Sequence, residues 1–532
     1  MKYFLLQLCF LLLLPIFAKA QLWEHYYGKP GLYDFSYFAI ETYDKGIITG
    51  GRTVNPDGYS YTRIIKLDMN GDSLWSELIK SSYGNQIRNI DNTIDGGIIG
   101  SGAIYIDDSE WASKPFAFRL NACGELEWCT YFETDRLLPW AQNIVSTDDG
   151  GFLMTLNSFG DYDTENTFLA KLDANGQPLW LKPVINPDIY DVRNPLSETL
   201  LKTESGHYLL SGKGYWRYNP ADTIFWLRPF YALFDQNGNE QWLTPFGIAD
   251  SLVGRAYACT EMGNGHLLCV ARQYFSLQYI QQGFIIELDG DGNVLQYRSV
   301  GPDEIDENCY SIFFRYIEQI GDTLVLAMPY LPDQNHGYPA AISLGMDVFN
   351  DELPLVNLRI FENKMDLHHI LKTSDNKIFS AKTSKEHPSY PPTDMYMLKM
   401  DAMLITDSIR PDNNTYDSLC PNPISYSEIF LDNCHIVSGL NELSKTQWLN
   451  RPAFHIQPNP GKDRIRLHFE KAARNELLDV LVYSTSGSLL IHVQYLEPNK
   501  TNIDIAMLPK GFYLVQVLKN GYALGTQKLI KY

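Results

Sequence analysis

Beyond residue 20 the chain has no apolar run near the ~20 residues that a membrane-crossing helix needs, so no transmembrane segment is expected there. No Cys-x-x-Cys occurs and no matching pair of histidines, which argues against a structural zinc site. Gly-x-Ser-x-Gly, His-Glu-x-x-His and a phosphate-binding glycine loop are all missing, and with them the catalytic patterns that sequence reveals most readily. Positive charge is scarce too: 43 Lys and Arg stand against 63 Asp and Glu, a formal net charge of −20. Nucleic acid and anionic membrane both call for a basic surface, so neither is expected as a partner. The 11 histidines are scattered, and only His368 and His369 adjoin. Neighbours on a strand point to opposite faces, so those two do not share a metal. No cofactor is expected.

Apolar and aromatic residues are plentiful, at 45% and 13%, so the chain can bury large cores. Its 532 residues exceed one ordinary core and imply several domains. Residues 1–20 read as a cleaved export signal: Lys2, an apolar stretch from Phe4 to Phe17, then Ala18-Lys19-Ala20, with the mature chain beginning at Gln21. Seven cysteines follow, and in an oxidising compartment they should pair. Cys259 and Cys269 flank Gly263-Asn264-Gly265 symmetrically, which suits a cross-strand bridge. Cys123 with Cys129 and Cys420 with Cys434 are the other local candidates, leaving Cys309 over.

A repeat organises most of the chain. Asp68, Asn121, Asp173, Asp235, Asp289, Asp347 and Asp401 recur at intervals of 53, 52, 62, 54, 58 and 54. Triplets such as Lys66-Leu67-Asp68, Arg119-Leu120-Asn121 and Lys171-Leu172-Asp173 precede the turns, and Trp75, Trp128, Trp180 and Trp242 open the strands that follow. An earlier glycine turn recurs as Asp44-Lys45-Gly46, Asp95-Gly96-Gly97 and Asp149-Gly150-Gly151. Each unit is a four-stranded antiparallel meander that cannot bury both faces alone, so copies must stack. Seven such units predict a seven-bladed β-propeller over residues 21–410, the sixth (Ile312 to Met346) being the most degenerate. Leu22 to Gly28 resembles an orphan fourth strand that would close the ring beside Leu367 to Asp401; Met403 to Ile409 competes for that place. The short turns share one face of the ring and the long loops the other, so a binding site is expected on the long-loop face or at its central mouth.

Residues 411–452 lose the periodicity and read as a linker. Residues 453–532 show short alternating strands, which predict a small Ig-like β-sandwich. Four stretches in this region resemble the type A C-terminal sorting domain of the type IX secretion system. They are Gln457-Pro458-Asn459-Pro460, Leu481 to Gly487, the Lys510-Gly511-Phe512-Tyr513 segment, and Lys528-Leu529-Ile530-Lys531. The resemblance implies a cargo of Bacteroidetes-type bacteria, secreted or held at the outer-membrane surface, with the type IX machinery as partner. Its sorting residues would be Pro458, Asn459, Pro460, Lys510, Gly511, Tyr513, Lys528 and Lys531. The repeat region is similar to bacterial secreted repeats of the same Lys-Leu-Asp kind, which implies a fold and little chemistry.

Chemistry is harder to find. The adjacent cysteine pair of quinone-dependent propeller dehydrogenases is missing. Asp289, Asp291 and Asn293 form the best calcium candidate, although position twelve of that loop is Val300 rather than a bidentate Glu. Tyr215, Trp216, Arg217, Tyr218 and Trp226 gather aromatic rings and an arginine in one long loop, a pattern suited to a glycan or protein ligand. The sequence thus favours a non-enzymatic surface or secreted binding protein. Its alternatives are a polysaccharide hydrolase or lyase with carboxylates at the propeller mouth, and an adhesin-like spacer.

Overall fold

The computed structural model describes residues 21–29, 32–107, 113–133, 140–157, 167–186, 190–217, 225–247, 253–274, 281–301, 304–305, 312–332, 337–362, 364–384, 393–420, 425–438, 454–469, 478–484, 489–496, 502–519 and 522–532. The export signal, Tyr218 and Cys309 lie outside these residues. The chain divides into two compact units, one built chiefly on residues up to Ile436 and the other chiefly on Val437–Tyr532.

The larger unit is almost entirely β. Its strands form four- to six-stranded sheets that resemble propeller blades, seven of them among the described residues. Sheet one is built on Phe38–Glu41, Ile47–Val54, Ser60–Leu67 and Ser73–Lys80, joined in order by antiparallel pairing. The inner strands of sheets two to seven are Asn85–Asn92, Trp140–Ser146, Val192–Lys202, Val253–Glu261, Tyr316–Ile320 and Lys364–Lys372. Each inner strand touches the next, and the seventh touches the first. The fourth strand of sheet seven comes from the other end of the chain: Glu24–Tyr26 pairs antiparallel with Asp394–Met400, Glu24 opposite Leu398. The segment 403–409 makes only isolated bridges, Met400 with Thr406 and Leu22 with Ser408. Cores lie between neighbouring sheets. At the seam, Trp23, Phe379, Met395 and Met397 pack on Ala39, Ile47, Ile65 and Leu67.

The repeated triplet does three things. Leu67, Leu120 and Leu172 are fully buried. The residue after them caps the turn to the fourth strand: Asp68 Oδ1 accepts from the backbone N–H of Asn70 and Asp72. Asn121, Asp173, Asp235, Asp289 and Asp401 accept in the same way. The residue before them reaches the turn after the inner strand, Lys66 to Asp44 at 2.6 Å, Lys171 to Asp149 at 2.7 Å and Lys399 to Asp375 at 2.8 Å. The degenerate sixth sheet lacks this turn, because Gly321 and Asp322 alone connect Tyr316–Ile320 to Thr323–Pro332.

Tryptophans staple one sheet to the next. Nε1 of Trp23, Trp128 and Trp242 donates to the backbone oxygens of Met69, Ala174 and Gly290 at 2.7, 3.0 and 3.0 Å. Each ring lies on a turn glycine of the neighbouring sheet. Gly176 and Gly292 have φ of 76° and 79°, and a Cβ there would meet Trp128 and Trp242 at 2.5 and 2.3 Å.

One expectation needs correction. The bridge Cys259–Cys269 is present, but Cys123 pairs with Cys420 and Cys129 with Cys434, across 297 and 305 residues. Cys129 sits in the extended strand Leu126–Glu133, and at ~3.3 Å per residue it lies beyond disulfide reach of Cys123 in the preceding turn. Part of the stretch read as a linker pairs with the sheets of the larger unit. Tyr426–Phe430 adds to sheet one in parallel with Ser73–Lys80, and His435–Ser438 adds to sheet two beside Leu126–Glu133. This strap covers two sheet edges that would otherwise present unpaired backbone groups. It also brings Asp417 to the buried Lys66, at 2.6 Å.

The smaller unit has two sheets, one of Phe454–Gln457, Arg464–Phe469 and Asn502–Asp504, the other of Leu489–Leu496, Leu478–Ser484, Gly511–Lys519 and Tyr522–Lys531. Alternate residues of both, among them Ile465, Leu467, Val480, Val482, Ile503, Val515 and Val517, share one core.

Candidate functional site

The calcium candidate is occupied by its own backbone. Asp289 Oδ1 accepts from the N–H of Asp291 and Asn293, and Oδ2 accepts from Asn293 Nδ2 at 2.9 Å. Those hydrogen bonds, the Asn293 side chain's first, hold the Asp289 carboxyl below the usual range. Among the described residues no group of three or more His, Cys, Asp or Glu gathers as metal ligands would.

The aromatic loop packs largely on its own sheet. Trp216 is 5% exposed and meets Tyr190 and Phe230 edge-on. Arg217 pairs with Asp191, and the Arg193 guanidinium stacks 4.0 Å above the Phe225 ring. Tyr215 and Trp226 are half-buried on the paired strands Tyr208–Trp216 and Trp226–Phe234.

A second constellation emerges from the inner strands, where the pairing slips at the same level in several sheets. The slips fall at Arg88, Gln142, Glu198, Tyr257–Ala258 and His368, each five residues or so before the glycine turn. A bulge re-aims the side chain it carries, and bulges recur beside functional sites. The residues that follow stitch sheet to sheet: Asn143 Nδ2 donates to Glu198 O and Thr199 Oγ1 to Tyr257 O, each at 3.3 Å. The slipped positions of sheets three, four and five thus stand side by side.

Arginines and rings from neighbouring strands join them. Arg255 Nη1 donates to Glu198 Oε1 at 3.2 Å. The Arg272 guanidinium lies 4.7 Å from the Phe313 ring centre and 5.5 Å from that of Tyr257. Arg88 covers Trp140 at 4.6 Å, Arg315 lies 5.8 Å from the Tyr316 ring, and the Tyr316 and His369 rings are 5.3 Å apart.

These groups perturb one another. Burial pushes the Tyr257 phenol up to about 12; Glu198 adds to that, and Arg272, Arg255 and Arg315 oppose it. Burial also raises Tyr316, with Glu198 again adding. Burial and the Arg315 charge lower His369 to about 4, so its imidazole is neutral at ordinary pH. His369 Nδ1 has no hydrogen-bond partner among the described residues. These residues therefore offer phenols that keep their protons and a neutral imidazole able to accept one. The enzyme alternative read from the sequence put carboxylates at the propeller mouth; the carboxylate among these residues is Glu198, held by Arg255. Only the level of each residue before its turn could have revealed this, and residue types differ from sheet to sheet.

In the smaller unit Gly511, Tyr513, Lys528 and Lys531, among the residues expected to serve sorting, lie along the pairing of Gly511–Lys519 with Tyr522–Lys531. Asn459 clips the last strand: its Nδ2 donates to Lys528 O at 2.7 Å and its Oδ1 accepts from Ile530 N–H at 2.9 Å. Lys531 donates to Lys462 O and lies 3.7 Å from Asp463. Pro458 and Pro460 bracket the clip, Gly511 opens Gly511–Lys519, and Lys510 is exposed beside it. Tyr513 OH donates to Pro509 O at 2.6 Å, and Lys528 covers the Phe512 ring at 4.1 Å.

Residues 455–532 match the family described as the secretion system C-terminal sorting domain. The C-terminal region is thus that of a type IX cargo, and the protein is secreted or surface-exposed. No helix among the described residues is long and apolar enough to cross a membrane. No curated protein matches the sequence. Solved structures similar to the chain include the polysaccharide lyase Uly1, at 12% identity and TM-score 0.43, covering 73% of this chain and 94% of that one. A GH93 alpha-L-arabinofuranosidase of Fusarium graminearum with arabinobiose matches at 12% identity and TM-score 0.38, covering 59% and 94%. The β-propeller domain of the Trilobed protease from Pyrococcus furiosus, with an open velcro topology, matches at 9% identity and TM-score 0.38, covering 72% and 98%.

The leaning toward a non-enzymatic protein is corrected by these findings. It rested on missing motifs, whereas the structures similar to the chain include a polysaccharide lyase, an alpha-L-arabinofuranosidase and a family-43 glycoside hydrolase.

Proposed function

We propose that this secreted protein is a polysaccharide-cleaving enzyme whose catalytic site is the mouth of a seven-bladed ring. The ring reading draws support from inner strands that touch in a cycle and from the N-terminal strand completing sheet seven. The C-terminal unit is proposed as an immunoglobulin-like sandwich at about residues 453–532, with its core shared by two sheets.

One observation carries the catalytic reading: Glu198, Arg255, Arg272 and Arg315 all act on the buried Tyr257 phenol, and Arg315 acts on Tyr316 and His369 as well, whose rings are 5.3 Å apart. Buried titratable groups with shifted acidity and opposing partners mark places where protons are moved. A ring needed only for support would fill that level with apolar side chains, as Ile144 and Ile370 do nearby. Tyr215, Arg217 and Trp226 are proposed to flank the mouth on sheet four, while Trp216 is structural.

The test is release of reducing ends from a panel of polysaccharides by the purified full-length protein. Release from at least one chain, lost when Tyr257 is replaced by Phe, supports the reading. Binding without any release would return the protein to the class of binding modules.

A further inference from the structure

We infer that the cavity between sheets seven and one, on the side of the short turns, binds a small molecule that carries a carboxylate. The cavity measures about 250 Å³. Its lining includes Ser374, Asp375 and Lys399 of sheet seven, Glu41 and Lys45 of sheet one, and Asn413 of the strap. None of these belongs to the group proposed for cleavage.

The same lysine behaves differently in three sheets. Lys66, Lys171 and Lys399 each hold the aspartate of the turn after the inner strand. An ammonium has three donors, and two of these lysines find a second acceptor. Lys66 reaches Asp417 of the strap at 2.6 Å, and Lys171 reaches the Thr147 hydroxyl. Lys399 has Asp375 alone among the described residues, at 2.8 Å, although its side chain is only 4% exposed. A buried donor without an acceptor is costly, and this one lines a cavity rather than packed side chains.

Sheet one supplies the pattern for the occupant. There the Asp417 carboxylate completes the lysine, and its own N–H donates to Asp44 Oδ2 at 2.8 Å. A free carboxylate can take the equivalent place on Lys399. Lys45 adds a second cation: it lines the same cavity, is exposed, and its ammonium has no partner among the described residues. The acids of the lining are already engaged. Asp375 is held by Lys399, and Glu41 accepts from Ser374 Oγ and N–H at 2.9 and 2.8 Å. Lys399 and Lys45 thus keep donors for an incoming carboxylate, with which each makes a charge-assisted hydrogen bond.

The wall of the cavity is preformed. The strap beside Asn413 is tied to the turn of sheet one, where Met69 N–H donates to Tyr416 OH at 2.9 Å and Asn70 Nδ2 to Arg410 O at 2.8 Å. Ile47 and Met69 add apolar surface for the body of the ligand. The volume lies below the roughly 300–1,000 Å³ of pockets that bury drug-sized molecules, so the occupant is a single sugar acid or amino acid rather than a polymer.

The experiment is isothermal titration calorimetry of the full-length protein with sodium galacturonate, sodium glutamate and neutral galactose. The expected result is one equivalent of a carboxylate ligand with Kd of about 0.1–1 mM, the tighter of the two acids telling a sugar acid from an amino acid. Galactose gives no saturable heat. Lys45 is exposed, so Lys45→Glu keeps the parent's fold, and it weakens binding about tenfold or more. Lys399→Met, its fold checked by circular dichroism, abolishes binding. No saturable heat from either acid would overturn the inference, and so would galactose binding as tightly as galacturonate. An affinity unchanged in Lys45→Glu would put the carboxylate elsewhere and overturn the site. None of these outcomes depends on whether the protein cleaves polysaccharide.

Discussion

Replacing Trp23 by Ala should open the seam between sheets seven and one. The ring is 1% exposed and packs edge-on against Phe379 at 5.6 Å, in the cluster that joins Met395 and Met397 to Ile47, Ile65 and Leu67. Truncating a fully buried tryptophan costs about 3–5 kcal/mol. Losing its hydrogen bond to Met69 O adds about 1 kcal/mol. Trp128 is the control, because it makes the same staple to Ala174 O from a half-buried position. Trp128→Ala should cost about 1–2 kcal/mol, the hydrogen bond plus partial burial. Urea unfolding of both variants beside the parent measures the difference. Equal costs, or less than about 1 kcal/mol for Trp23→Ala, would refute the idea that the N-terminal strand holds the ring shut.

Other expectations follow from the same contacts. Non-reducing peptide maps should find Cys123–Cys420 and Cys129–Cys434, and the double variant Cys420→Ser/Cys434→Ser should lose about 2–5 kcal/mol of stability by chemical denaturation. Lys66→Met leaves Asp44 and Asp417 facing each other in the interior, which should cost about 3–5 kcal/mol and detach the strap, read as faster proteolysis of residues 411–438. Burial pushes the Asp149 carboxyl up, but hydrogen bonds from Lys171, Thr147 and Gly151 outweigh it and hold the group at about 2. That lowered value means stability that is fully present above the unfolded pKa of about 3.9 and is lost as pH falls toward the folded one. A carboxyl NMR titration should show the low midpoint, and Lys171→Met should move it upward. Deleting Phe454–Tyr532 should strand the propeller in the periplasm, read by surface labelling of intact cells.

The recurring turns were legible because their chemistry is local. Asp or Asn with glycine satisfies its own backbone at Asp68, Asp173 and Asp289 in the same way, whatever the rest of the chain does. The same self-sufficiency holds in the Asp289 loop, the best calcium candidate of the sequence, whose carboxylate accepts from its own amides. The closing strand was legible too, since Leu22 to Gly28 carries the fourth-strand pattern without its first three. The strap was not: its irregular composition says nothing about which edges it covers, and pairing between residues 297 and 305 positions apart depends on the closed architecture. The polar ring was hidden for the same reason. Arg88, Glu198 and Tyr257 are more than fifty residues apart and unlike in type, and only stacked sheets bring them to one level.

The account stands or falls on whether that level does chemistry, and Tyr257→Phe asks this most directly. The substitution removes one oxygen from a side chain that is 5% exposed and keeps its shape, so the unfolding midpoint should hardly move. The initial rate of polysaccharide cleavage should fall about 10²- to 10⁴-fold, the loss typical of a removed proton-transfer group. A variant that cleaves at the parent's rate would contradict the account.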